Sequence, residues 1–93
     1  GTGKGGGGGV SNMGTEMHFG IWVLENRPTL NGRGTSGAWE AGAGDALKGD
    51  YNVIYERSDC IYAYIAGYRK MTAYLGSGGV IICDCCGSRI RRE

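Results

Sequence analysis

Four cysteines, Cys60, Cys83, Cys85 and Cys86, and a single histidine, His18, are the side chains of this sequence best suited to chemistry. In Ile82-Cys83-Asp84-Cys85-Cys86-Gly87-Ser88, Cys83 and Cys86 have the C-x-x-C-G spacing of a zinc knuckle. Backbone N–H groups in such a turn point at the thiolates, and the glycine relaxes the turn. The motif is half of a tetrahedral site, so Cys60 with Cys85 or His18 has to complete it, giving Cys60, Cys83, Cys86 and His18 as one candidate ligand set for zinc.

The same thiols also fit a disulfide framework, and the composition favours this second reading. An even number of cysteines in a short chain is the pattern of a covalently stapled secreted domain. A bond from Cys60 to Cys85 or Cys86 closes a loop of about 25 residues and adds about 3 kcal/mol by chain entropy. The cysteines left over are near neighbours: a Cys85–Cys86 bridge is strained, a bridge from Cys83 to either is tight, and an intermolecular bridge is the remaining outlet. A dithiol redox centre is the weakest reading, because it needs its first cysteine at a helix N-terminus and only seven residues follow Cys86.

Other polar groups are less organised. Arg69, Lys70, Tyr62 and Tyr74 fall on the outer face of one helical pattern and make a small candidate surface for a protein or cell-surface target, while Arg89, Arg91 and Arg92 form a basic tail. The carboxylates are scattered, and no spacing pairs His18 with Glu25 or Glu56 as base and acid, so catalysis has no motif behind it. Gly32, Gly34 and Gly37 have the spacing of a dinucleotide fingerprint, but the preceding chain lacks the tight strand-to-helix turn, and Gly3-Lys4 lacks the rest of a phosphate loop.

The elements that position these residues follow from periodicity. Ile61, Tyr64, Ile65, Tyr68, Thr72 and Leu75 form a stripe at spacings of three and four, which predicts a helix over 58–75, capped by Ser58 and stopped by Gly76. Runs at 51–56 and 79–85 read as strands on either side of it. Joined by a right-handed crossover, those strands are parallel, and their shared edge brings Cys60 to the cysteine cluster. The apolar run 17–25 reads as a third strand, ended by Pro28, and 36–48 as a shorter helix capped by Ser36 and stopped by Gly49, within which Gly42 and Gly44 are weakening residues. The expected fold is α+β: a two-layer α/β sandwich built on the strand-helix-strand unit at 51–86, with an extra N-terminal strand. A flexible glycine-rich arm over 1–12 precedes a single domain over 13–93.

A formal charge of +1 argues against a phosphate backbone or an anionic membrane as the main partner, and no apolar run reaches the roughly 20 residues of a membrane span. The chain opens on Gly1 with no leader pattern, as a processed form, a tagged form or a fragment would. Twenty glycines and six tyrosines against four leucines suit a compact secreted domain with a sheet. The expectation is a small secreted, non-enzymatic protein that acts through its surface, binds no cofactor and is stabilised by disulfides. The alternative is an intracellular zinc-binding interaction module. At the level of architecture the first resembles fungal killer toxins and effectors, and the C-x-x-C-G turn resembles one half of a zinc ribbon; neither resemblance transfers a residue role.

Overall fold

The computed structural model describes residues 16–91. Its elements are β1 (Glu16–His18), α1 (Phe19–Asn26), α2 (Thr35–Lys48), α3 (Ser58–Gly76), β2 (Val80–Ile82) and β3 (Arg89–Arg91). Among the described residues this is a small α+β fold of three helices and a three-stranded mixed sheet, in the order β1-β2-β3. β1 runs parallel to β2 with Met17 opposite Ile81, and β2 runs antiparallel to β3 with Ile81 opposite Ile90. The expected arm over 1–12 lies outside the described residues.

Two expected strands are corrected. The run 17–25 is a strand only as far as His18, after which Phe19 begins α1. Phe19 to Leu24 is apolar on every side apart from Gly20, so period alone does not separate strand from helix there. Burial does: the sequence neighbours Trp22 and Val23 are both buried, as two adjacent positions on one side of a helix can be and two strand neighbours facing opposite ways rarely are. The helix start is held from a distance, by the Asp84 carboxylate accepting from the Gly20 N–H at 2.9 Å. A negative group at that end also suits the helix dipole. Arg27, restricted by Pro28 after it, leaves the helix in an extended conformation.

The segment 51–56 carries no strand. Its period-two pattern is real, since Val53 and Tyr55 are half-buried while Asn52, Ile54 and Glu56 are exposed, but the inward side chains pack on the helices. The strand-helix-strand unit over 51–86 is therefore missing its first strand. The parallel neighbour of β2 is β1, and the connection between them contains all three helices.

The two longer helices form close to where expected and pack along one another. Their caps differ from expectation: Ser36 and Ser58 lie inside the helices, behind Gly34 and Arg57, and neither N-cap makes a side-chain cap bond. Gly49, left-handed at φ +68°, ends α2 in a Schellman turn, with Asp50 N–H donating to the Asp45 carbonyl and Gly49 N–H to that of Ala46. After α3 the left-handed position is Gly78, not Gly76.

The helix interface is built from backbone and small side chains. A Cβ at Gly42 would lie 2.0 Å from the Tyr64 carbonyl oxygen, and one at Gly67 would lie 2.0 Å from that of Trp39. Each helix thus presses a glycine against a carbonyl of the other, a geometry suited to Cα–H···O contacts. The buried line of α3 is Cys60, Ala63, Tyr64, Gly67, Met71 and Leu75, rotated from the expected stripe toward its small residues. Trp22 of α1 completes the core, with its ring centre 5.5 Å from Trp39 and 5.8 Å from Tyr74.

Candidate thiol site

The turn from β2 to β3 gathers three sulphurs. Cys83 N–H donates to the Ser88 carbonyl and Gly87 N–H to the Cys83 carbonyl, each at 2.8 Å, and Gly87 takes φ +73°, where a side chain would be strained. The Sγ atoms of Cys83, Cys85 and Cys86 then lie within 4.8 Å of one another, with Cys83 and Cys85 at 3.1 Å. Cys86 Sγ donates to Ser88 Oγ at 3.2 Å. Hydrogen bonding from the Cys85 thiol, and then from the backbone N–H groups of Cys85 and Cys86, lowers the Cys83 thiol to about 7. The same contact pushes Cys85 up, because its proton is held against Cys83. The loop favours one thiolate even without a cation.

Asp84, inside the loop, is engaged by β1 and α1. One carboxylate oxygen accepts from Gly20 N–H, and the other lies 3.5 Å from His18 Nδ1. Because β1 and β2 are parallel and paired at His18 and Ile82, His18 is the residue that the sheet delivers to the cysteine turn. It meets Asp84 there, and among the described residues the converging ligand group is the three cysteines alone.

Cys60 is placed elsewhere. It is buried in the first turn of α3, with Sγ 3.6 Å from the Arg33 carbonyl oxygen. The parallel strands expected to carry it to the cluster do not exist in that form, and all four cysteines are free thiols. Of the expected zinc set, Cys83 and Cys86 lie together with Cys85, whereas Cys60 and His18 lie outside that group, and the parallel-strand geometry from which a Cys60 disulfide was expected is absent.

The expected surface face is smaller than its four residues. Tyr62, Arg69 and Lys70 are exposed on α3, but Tyr74 turns in against Trp22 and over Gly79, and burial pushes its hydroxyl up. Gly32, Gly34 and Gly37 form the turn and first residues of α2, preceded by α1 and irregular chain, so the dinucleotide pattern lacks its strand.

Two features escaped the sequence reading. Tyr64 is buried, donates its hydroxyl proton to Asp45 and accepts from Asn52 N–H at 2.8 Å; burial first, then Asp45, pushes it up to about 12. The other is an open groove of about 640 Å³, running from Cys83 and Cys85 along Phe19, Ala41, Leu47 and Ile90. Neither had a local signal, since each joins α2 to residues distant in the chain. No protein-family model matches this chain, and no curated protein or solved structure matches it either.

Proposed function

We propose that this chain is a metal-binding interaction module whose cysteine turn holds a zinc-class ion through Cys83, Cys85 and Cys86. The observation that carries this reading is the convergence of the three sulphurs at one exposed hairpin tip. Supporting it, the left-handed Gly87 and the N–H groups around Cys83 match what a thiolate-metal knuckle requires, and a thiol already lowered to about 7 gives up its proton to a cation at little cost. The ion would join the two arms of the turn and so reinforce a sheet of three-residue strands.

A secreted, toxin-like surface binder stapled by disulfides is the second reading, favoured by one distance: Cys83 and Cys85 sulphurs 3.1 Å apart need little movement to bond on oxidation. Intact mass in native spray without reductant separates the two. A bound zinc adds roughly 63 Da and disappears with chelator, whereas each disulfide removes about 2 Da. The metal reading expects the first result, and a protein that takes up no zinc even when reduced would overturn it.

A further inference from the structure

We infer that a metal on this three-thiolate turn keeps its fourth coordination position open toward the apolar groove, and that the position takes a neutral imidazole-type nitrogen from a ligand whose apolar body lies in that groove. The inference rests on the metal-binding reading above. A zinc-class ion takes four donors, and a site with three protein ligands presents the fourth position to water or an external ligand. Among the described residues no fourth donor, His18 included, converges with the three sulphurs. Asp84 holds Gly20 N–H and faces His18, Ser88 Oγ is bonded to Cys86, and Cys60 lies against Arg33.

The groove defines the shape of the external ligand. Cys83 and Cys85 are among the residues that line it, which sets the thiol cluster at its edge. Its 640 Å³ falls in the roughly 300–1,000 Å³ range of small-molecule sites. Phe19, Ala41, Leu47 and Ile90 supply apolar walls, and Gly44 leaves the floor open, since a Cβ there would meet only the Phe19 ring at 3.7 Å.

Charge defines the donor. Three thiolates around a divalent ion leave one net negative charge, and Glu40, Asp45 and Asp84 outnumber Lys48 along the groove. A carboxylate or a further thiolate would enter against that field, whereas a neutral imidazole completes a three-sulphur, one-nitrogen set without added charge. In the binding step the metal–nitrogen bond forms, the metal–water bond breaks, and no electron or proton is transferred.

Cobalt(II) makes the coordination visible. The reduced full-length chain is loaded with cobalt(II) alone under anaerobic conditions. A sulphur-to-cobalt charge-transfer band is expected, and its absence would overturn the metal-binding reading itself. The loaded protein is then titrated with 4-phenylimidazole, imidazole, benzoate and benzenethiol. Expected are a shift of the visible cobalt bands with the charge-transfer band retained, and binding of 4-phenylimidazole about tenfold tighter than imidazole because its phenyl ring is buried. Gly44→Leu, which adds bulk to the groove beside the Phe19 ring, should erase that preference and leave the cobalt spectrum and imidazole binding intact. Unshifted bands, equal affinity for the two imidazoles, tighter binding of benzoate or benzenethiol, loss of cobalt to the titrant, or an unchanged preference in Gly44→Leu would each overturn the inference while the metal site stood.

Discussion

Hydrogen bonding lowers one weak acid of this protein, and burial raises another. Cys83 accepts, from the Cys85 thiol and from backbone N–H groups, so its thiolate is favoured down to about 7. Tyr64 donates to Asp45 in a buried setting, so its neutral form persists up to about 12. In metal-free protein Cys83 should therefore be alkylated by iodoacetamide first, with a rate that rises through pH 7 while Cys85 lags. Peptide mapping of timed samples checks this, and faster labelling of Cys85 at neutral pH would refute the assignment. For Tyr64 the folded value lies above the ordinary value of 10, so the native state favours the protonated form. That contribution to stability is complete below pH 10 and is lost as pH rises from there through about 12. Urea midpoints measured between pH 9 and about 12 should fall more steeply for the native chain than for Tyr64→Phe. An equal slope would show that burial and Asp45 do not hold Tyr64 protonated in solution.

At the scale of elements, the two long helices were legible because their apolar residues recur at helical spacing and Gly49 marks a stop. Which face of α3 is buried was not. Counting bulky residues selects Ile61, Ile65 and Tyr68, but the helices approach until Gly42 and Gly67 touch carbonyls, so the buried line runs through Ala63 and Gly67. The signal present in the sequence is the small-residue spacing of Ala38, Gly42 and Ala46 in one helix and of Ala63 and Gly67 in the other, whereas Gly42 taken alone reads only as a weak point of its helix. Substitution separates the two roles of glycine. Gly67→Ala gains up to about 1 kcal/mol of helix propensity but forces two backbones apart, and overpacking of that kind typically costs about 1–3 kcal/mol. A net loss of stability is expected. Gly37→Ala, with nothing within 4 Å of the new methyl group, should instead be neutral or stabilising by up to about 1 kcal/mol. Denaturant melts of the two variants decide the point, and a stabilised Gly67→Ala protein would rule out the close crossing.

Over the whole molecule, the parallel pairing of β1 with β2 was hidden for a reason of distance. Strands of three residues carry little pattern, and the pairing of His18 with Ile82 closes across all three helices, so no local spacing announces it. The run at 51–56, with its β-branched and aromatic alternation, is the better local candidate, yet its inward side chains Val53 and Tyr55 pack on the core, and among the described residues it pairs with no strand. Asp84 is where that long-range closure meets the candidate site: its carboxylate fastens the cysteine turn to the start of α1 and faces His18, while the sulphurs of Cys83, Cys85 and Cys86 converge beside it in the chain. If this attachment orients the turn, removing it should weaken a metal held by Cys83, Cys85 and Cys86, much as loss of an outer partner lowers metal affinity by about 10- to 100-fold. Asp84→Ala is therefore expected to bind zinc at least about tenfold more weakly in competition with a chromophoric chelator, and to speed amide exchange in the first turn of α1. Asp84→Asn, which keeps an oxygen for Gly20 N–H, should restore most of both. Unchanged zinc affinity in Asp84→Ala, alongside faster exchange at Gly20, would mean that the turn is organised by Gly87 and its own N–H groups, with the attachment to α1 serving the fold alone.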